Sequence, residues 1–427
     1  MPNLHRLVLV ATLALTVDAC NDRHESPTQP SSTSGLGTPQ FTVKIDGADS
    51  ADAIASVSEV TFEARTNANA ARYDINFGDG HSTSTSTASH VYEQPGTFTA
   101  ALTVTDAAGR QESVSRTVVV KTVEGTLFYL GYNEKSRAGE FHRLTIANQE
   151  GTTVRGVYTS LSAGDRALSG TLGRGRTVRL RADYEGLEFE GTVPSEILAE
   201  NKPWSLRGSG GSIDGLTVQF RGVVGAPTGP GPDTRIDIRW DESLAWRPIM
   251  GLTSIKYDVT RSSGDGMSYV IEYGDGEHTT DPSSFHKSNR DGELVIRLVA
   301  ADRFGRVKVT TTPLAVLSLR DNSGSAWYSS FLNPVTQQYE FRQMAFRTHE
   351  GNFVTGSYSH PGGGTSNFHG VLSGDNRINL SLDLGGIEFN GTIVLANLYY
   401  SWRMHLLFRG GSADGATLDF VWDDGPG

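Results

Sequence analysis

Residues 73–109 read YDINFGDGHSTSTSTASHVYEQPGTFTAALTVTDAAG, and they indicate the fold most clearly. Apolar residues stand at every second position from 73 to 77 and again from 98 to 104, which is the period of a β-strand. The dipeptides Asp79-Gly80 and Pro95-Gly96 supply the left-handed or pre-bent backbone that tight turns need. The stretch therefore predicts antiparallel strands joined by short turns.

The same stretch resembles the PKD domain. The resemblance rests on an aromatic strand that ends in Gly78, Asp79 and Gly80, and on the later run HVYEQPGTFTAALTVTDAAG. It implies an Ig-like β-sandwich over residues 41–122. It also implies an extracellular or cell-surface setting, with a role in protein or carbohydrate contact or in spacing other domains.

The chain then repeats itself. A second GDG turn lies 196 residues after the first (274 − 78), and further markers keep that offset: Gly274, Asp275, Gly276, His286, Asp302 and Gly305. Residues 236–319 are therefore predicted to form a second, diverged PKD-like sandwich. This copy has Asp291-Gly292 where the first has its Pro-Gly turn, so its resemblance to the family is weaker.

A different module, residues 123–225, follows the first sandwich. Eight short strands are predicted, at 126–132, 140–148, 153–160, 167–172, 176–183, 187–193, 204–208 and 216–222. Hairpin links between consecutive strands indicate a meander, which closes into an eight-stranded barrel or stays an open sandwich; the barrel is favoured. GLEFEGTV at 186–193 recurs as GIEFNGTI 200 residues later (386 − 186), so residues 320–427 are predicted to form a second such module.

The N-terminus predicts export. An apolar run precedes Ala19 and Cys20, and it is too short to span a membrane. Residues 1–20 thus form a predicted signal peptide whose end resembles the bacterial lipobox, with Cys20 as the lipidation site; plain secretion is the alternative. Residues 21–40 are a predicted flexible tether and residues 226–235 a Pro/Gly linker. Export would place the protein at the cell envelope, as an outer-membrane lipoprotein or a secreted protein.

Composition and net charge limit the partners of the chain and the ways in which its fold can be stabilised. A net charge of −11 argues against nucleic acid as a partner. The single cysteine of the chain leaves no intrachain disulfide to hold the fold. Eleven per cent glycine, 49 of 427 residues, is well above the usual ~7% and fits many short strands joined by tight turns.

Three sets of polar residues are candidates for chemistry. Asp79 and Asp275 of the GDG turns would suit calcium, but aspartates commonly cap their own turns, so no cofactor is expected and calcium stays an alternative. His81 lies nine residues before His90, which suggests a different loop and no shared metal. Glu188 alternates with apolar neighbours, which predicts a solvated face; its module also repeats carboxylates at Asp183, Asp383, Asp214, Asp414 and Glu388.

Aromatic residues give the second module type its candidate ligand-binding positions: Tyr129, Tyr158, Trp204, Trp327, Tyr358 and Trp402. Exposed aromatic rings stack on the apolar faces of sugars, whereas the same residues also fill barrel interiors. Both interpretations stay open, with interior filling favoured for Trp204 and Trp402.

Together these patterns predict an all-β protein with two sandwiches alternating with two barrels. The expected function is non-enzymatic adhesion or scaffolding, with a polysaccharide or a surface protein as partner and a lipid anchor in the membrane. Two alternatives are a carrier of a small apolar ligand inside the barrels and a glycan-active hydrolase. The hydrolase is disfavoured because Asn390 replaces Glu190 in the second copy.

Overall fold

The computed structural model describes residues 38–423 except 50, 67–69, 201, 228, 241–246, 320–325, 334–335, 361–363, 374–376, 384–386, 395–402 and 411–413. The described chain is built from strands, with two short 3-10 helices at Arg174–Arg176 and Gly211–Ile213. The predicted all-β class is therefore confirmed. Within the described part of the chain, no helix has the length and apolar character needed to cross a membrane.

The first sandwich consists of two antiparallel-rich sheets, ordered β1-β3-β6 and β2-β8-β7-β4-β5. Its strands are β1 (Gln40–Ile45), β2 (Ala53–Ile54), β3 (Val60–Arg65), β4 (Ala70–Asn76), β5 (Ser82–Thr83), β6 (Thr87–His90), β7 (Gly96–Asp106) and β8 (Gln111–Lys121). The alternating residues Phe62, Ile75 and Leu102 meet between the sheets and are fully buried.

The first barrel is closed, which confirms the barrel and rejects the open sandwich. Its strands are β9 (Gly125–Asn133), β10 (Ala138–Glu150), β11 (Thr153–Ser160), β12 (Gly164–Gly173), β13 (Thr177–Ala182), β14 (Glu188–Thr192), β15 (Trp204–Ser209) and β16 (Thr217–Gly222). Each strand pairs with the next, and β16 returns to pair with β9 through Arg221 and Gly222. Closure removes the free sheet edges.

The second sandwich repeats the strand order of the first, in sheets β17-β18-β21 and β20-β19-β22-β23. Its strands are β17 (Asp237–Arg239), β18 (Ile255–Asp258), β19 (Ser268–Glu272), β20 (His278–Thr279), β21 (Ser283–His286), β22 (Gly292–Ala301) and β23 (Val307–Val316). A parallel bridge between Ile249 and Leu317 takes the place of the parallel β2–β8 pair.

The second barrel is also closed. Its strands are β24 (Ala326–Leu332), β25 (Tyr339–Glu350), β26 (Phe353–His360), β27 (Gly364–Ser373), β28 (Arg377–Leu382), β29 (Glu388–Val394), β30 (Arg403–Arg409) and β31 (Thr417–Asp423). The two barrels also share a β-bulge, which interrupts β10 after Ile146 and β25 after Phe346.

Large side chains fill both barrels. In the first, the rings of Phe189 and Phe220 meet edge to face with centroids 5.5 Å apart; in the second, those of Phe389 and Phe408 do so at 4.2 Å. Edge-to-face pairs of this kind add to the free energy gained by burying the rings. These packed interiors weigh against the apolar-carrier alternative.

Each sandwich inserts apolar residues into the end of the barrel that follows it. Ile54 and Val57 belong to the core of the first barrel, and Ile249 and Leu252 belong to that of the second. The first junction is also polar, because buried Arg176 donates to the main-chain oxygens of Asp52 and Val193 at 2.7 and 2.9 Å. The first barrel additionally packs on the second sandwich, with Phe128, Phe141 and Ala301 in one buried cluster.

Candidate functional site

A cleft of about 910 Å³ lies on the outer face of the first barrel, across five consecutive strands from β11 to β15. Two rows of outward side chains cross these strands. The strand register places them in the orders Thr153–Thr171–Arg179–Glu190–Arg207 and Arg155–Ser169–Arg181–Glu188–Ser209. All ten side chains are exposed and line the cleft, which is called the arginine cleft below.

Glycines shape the floor of the arginine cleft. Gly156 and Gly170 occupy inward positions, where a Cβ atom would lie 1.8 Å from Thr145 O and 2.4 Å from Arg179 O, respectively. A side chain at either position would push neighbouring strands apart. Glycine therefore lets the strands approach and bend beneath the cleft, as is common at the corners of barrels.

The charge of the arginine cleft is opposite to that of the chain. It contains four arginines and two glutamates, whereas the whole protein has a net charge of −11. Arg179 Nη2 lies 2.8 Å from Glu190 Oε1, and Arg181 Nη1 lies 3.9 Å from Glu188 Oε1. Since exposed ion pairs contribute only ~0–1 kcal/mol, a ligand anion can exchange with these glutamates at small cost.

The second barrel presents the same ten positions with different side chains. Its rows are Phe353–Val371–Asn379–Asn390–Leu407 and Thr355–His369–Ser381–Glu388–Arg409. Each position lies 200 residues after its counterpart, and Phe353 is 61% exposed. The second face therefore replaces all four arginines with neutral residues, gains one arginine, Arg409, at the position of Ser209, and adds an exposed aromatic ring.

The aromatic candidates lie mostly inside the barrels. Trp204 and Trp327 are fully buried, and Tyr158 and Tyr358 are exposed by 1% and 3%. Rings in these positions fill the barrel interior and are not available to stack on a ligand at the surface. Tyr129 is half-buried and packs against the interior cluster. Trp402 and Cys20 lie outside the described residues.

A buried chain of polar groups contains Tyr158. His142 Nδ1 lies 2.8 Å from Tyr158 Oη, and His142 Nε2 lies 3.1 Å from Glu140 Oε2. Burial acts to raise the pKa of Glu140, but hydrogen bonds from His142 and other neighbours outweigh it and lower that pKa to about 2. Burial also raises the pKa of Tyr158 to about 12.

The second barrel has the same chain of buried polar groups, with Arg342 in the place of His142. Arg342 donates to both Tyr358 and Glu340. An arginine is always protonated and cannot act as a base. Since the substitution keeps the contacts and removes the acid–base group, the shared role of this chain is to satisfy buried polar atoms.

The repeated carboxylates do not converge. Glu188 and Phe189 alternate between exposed and buried as predicted. Asp214 and Asp414 accept hydrogen bonds from Gly210 N and Gly410 N, which makes them turn caps. Asp183 is exposed, and exposed Asp383 lies beside His369. Among the described residues, the four aspartates do not line the cleft that contains Glu188.

The GDG turns are tight and require glycine. Gly78 has a φ of +86°, and a Cβ atom there would lie 2.6 Å from Thr99 O. Gly80, Gly274 and Gly276 share the positive φ. Asp79 accepts a hydrogen bond from the main-chain nitrogen two residues on, as does Asp275, so both cap their own turns.

The structure overturns the argument from histidine spacing. The sequence separation suggested that His81 and His90 lie in different loops, but their ring centroids are 5.6 Å apart. Asp79 stands between them, with Oδ2 2.6 Å from His90 Nε2 and Oδ1 3.3 Å from His81 Nδ1. The GDG turn folds β5 back alongside β4 and is closed by the hydrogen bond from Phe77 N to His81 O, which places His81 beside His90.

Sequence reasoning missed the arginines of the cleft. Their signal was present, because Arg179 and Arg181 alternate with apolar residues in TVRLRA. In the structure they lie opposite Glu190 and Glu188 on the neighbouring strand β14. Only the register of the closed barrel shows that Arg155 and Arg207 complete the same two rows.

Comparison with known families identifies residues 42–122 as a PKD domain. No curated protein matches the chain. Solved structures that align with it include carbohydrate-binding modules of the β-sandwich superfamily, at 13% identity over 66% of this chain and 94% of that one, with a TM-score of 0.20. Fibronectin(III)-like modules of Clostridium thermocellum CbhA align at 10% identity over 65% and 95%, with a TM-score of 0.19.

A structure described for the host cell surface retention of a bacterial ice-binding adhesin aligns at 13% identity over 67% of this chain and 98% of that one. Its TM-score is 0.21. Scores this low carry no information about the ligand or activity of this chain.

Proposed function

We propose that this protein is a non-enzymatic binding scaffold of the bacterial envelope and that the arginine cleft binds an acidic polysaccharide. The observation that carries the proposal is the pair of five-residue rows that places four arginines on one concave face. Arginine binds carboxylate and sulfate groups through paired N–H donors. The hydroxyl and carboxylate groups between the arginines suit the sugar hydroxyls of the same polymer.

The character of the cleft also favours a glycan over nucleic acid. Glu188 and Glu190 lie within both rows, and they would repel a closely spaced phosphate backbone. A polysaccharide that alternates acid groups with hydroxyls matches a face that alternates arginine with Glu, Ser and Thr. The PKD domain at residues 42–122 fits the same setting, because such domains are found on cell surfaces.

Export and anchoring remain part of the proposal. Cys20 follows a short apolar run, which supports a lipid anchor at the outer membrane or, without lipidation, secretion. Fatty-acid labelling of cells should mark the wild-type protein and not Cys20→Ser. Equal labelling of both would exclude the anchor.

The cleft is tested by affinity electrophoresis or calorimetry of the exported chain with a polyuronate, a sulfated glycan and a neutral glucan. We expect binding to a polyanionic glycan that weakens with salt and falls at least ~10-fold in Arg179→Ala/Arg181→Ala, the loss of two charge-assisted contacts. The matched control is Asn379→Ala/Ser381→Ala in the second barrel, which should bind like wild type. Lack of binding to every acidic glycan, or equal effects of the two double variants, would refute the proposal.

A further inference from the structure

We infer that Asp79, His81 and His90 of the first sandwich form a binding site for one transition-metal ion of the zinc class. One ligand atom from each residue lies within 4.8 Å of the other two. Tetrahedral zinc with bonds of about 2.0–2.2 Å needs donors ~3.4 Å apart, so small side-chain rotations suffice. Two imidazoles and one carboxylate leave a fourth position for water or for a donor from another molecule.

The ligands are held by the fold. The ring of His90 stacks on Phe77 with centroids 4.2 Å apart and meets Tyr92 edge to face at 4.7 Å. Asp79 is fixed by the hydrogen bond from His81 N at 3.0 Å. Of the three ligands, His81 alone is largely exposed, at 74% of its side chain, so it can turn toward an ion.

The donor set favours a transition metal here. Asp79 lies between the two imidazoles, with Oδ2 2.6 Å from His90 Nε2 and Oδ1 3.3 Å from His81 Nδ1. Two imidazoles and one carboxylate suit zinc, copper or nickel, whereas calcium prefers six to eight oxygen ligands.

The second sandwich provides a natural comparison within the same chain. It keeps the pair, with His286 Nε2 2.6 Å from Asp275 Oδ2, but Glu277 stands where the first copy has His81. Asp275 Oδ2 also accepts a hydrogen bond from Asn289 N at 3.1 Å, and its side chain is fully buried. The aspartate–histidine pair is thus a structural feature of both copies, and the third, exposed donor is particular to the first.

The experiment titrates the full chain, without an affinity tag, with zinc against a chromophoric indicator. We expect the wild-type chain to bind one zinc ion tightly. His81→Ala should lower the zinc affinity of this site at least ~10-fold. Since His81 is exposed, this variant should keep the fold, which circular dichroism verifies. The controls are Glu277→Ala and His369→Ala, each of which should retain the site.

A spectroscopic measurement identifies the ligands directly. Copper bound to the wild-type chain should show electron-spin-echo modulation from two imidazole nitrogens, and one of these should disappear in His81→Ala. Stoichiometric binding that His81→Ala leaves unchanged would overturn the inference, as would affinity no better than that of the His81→Ala chain. These readouts do not involve glycan binding, so failure of the metal site leaves the arginine cleft untouched.

Discussion

His349 lies buried at the junction between the second sandwich and the second barrel, where its Nδ1 accepts a hydrogen bond from Leu319 N at 3.0 Å. The first junction makes the equivalent contact with an amide, because Gln149 Oε1 accepts a hydrogen bond from Val123 N at 2.8 Å. Both side chains act as acceptors for a main-chain nitrogen where the chain passes from sandwich to barrel. Only the histidine can lose this capacity by taking up a proton.

Acid should therefore weaken the second junction more than the first. Burial lowers the pKa of His349 to about 4 from an ordinary value near 6.5. The unfolded chain binds the proton first as pH falls, so stability is complete above about pH 6.5 and is lost progressively toward about pH 4. We expect about 2 kcal/mol less stability of this barrel at about pH 5 than at about pH 7.

His349→Gln, the residue found in the first copy, should remove this pH dependence and preserve the fold. Urea unfolding followed by a barrel tryptophan or by hydrogen exchange at both pH values measures the effect. Identical pH profiles for wild type and His349→Gln would show that His349 does not contribute to the pH dependence and that burial does not lower its pKa.

At the scale of single elements, sequence periodicity located the first barrel well. All eight predicted strands of residues 123–225 exist, because alternation and hairpin turns are local signals. The side chains that neighbouring strands bring onto one face were harder to predict from the sequence. The placement of Arg155 and Arg207 on one face, four strands apart, depends on closure and register, which the chain sets only after all eight strands are in place.

The sequence of strand β9 departs from simple alternation of apolar and polar residues. Leu127 and Phe128 are adjacent, and both are buried. Consecutive apolar residues indicate a strand covered on both faces, here by the barrel interior and by the second sandwich. The sequence thus indicated an outer contact for β9, although it did not identify the partner.

The bulge in β10 gives a prediction for an element. Gly156 faces this bulge, and Gly356 faces the matching bulge in β25; a Cβ atom added at these glycines would lie 1.8 Å from Thr145 O and 2.2 Å from Ala345 O. Gly156→Ala should lower the free energy of unfolding by about 2–3 kcal/mol, because the strand must move away from β10.

Thermal or urea unfolding measures this change in stability. Gly231→Ala is the control, since no atom lies within 4 Å of a Cβ placed there. It should change stability by less than ~0.5 kcal/mol. A Gly156→Ala chain as stable as the control would show that β11 shifts without loss and that the glycine is not required.

At the scale of the whole molecule, the first barrel is held between two sandwiches. Glu272 of the second sandwich accepts a hydrogen bond from Gly139 N at 2.7 Å and pairs with Arg297, whose Nη1 donates to Gly139 O at 3.3 Å. Nearby, the rings of Tyr132 and His278 stack with centroids 3.5 Å apart. These contacts between the barrel and the sandwich do not follow from local patterns, because their partners are far apart in the sequence.

Removing Glu272 should loosen this interface. Glu272→Ala leaves Gly139 N without its acceptor and Arg297 without its carboxylate, which costs about 1–3 kcal/mol. Hydrogen exchange measured by mass spectrometry should then be faster in the β9–β10 hairpin and unchanged in the second barrel. Glu277→Ala, an exposed residue of the same sandwich, is the control. Unaltered exchange in the hairpin would mean that the buried cluster around Phe128 holds the interface alone.

The two barrels also suggest a use in protein engineering. Their strand registers agree position by position, while nine of the ten outward side chains differ between the two faces. A recognition surface can therefore be grafted from one barrel to the other, or randomised as a display library, with the inward-facing residues left untouched. Two such faces on one chain would make a binder with separately adjustable halves.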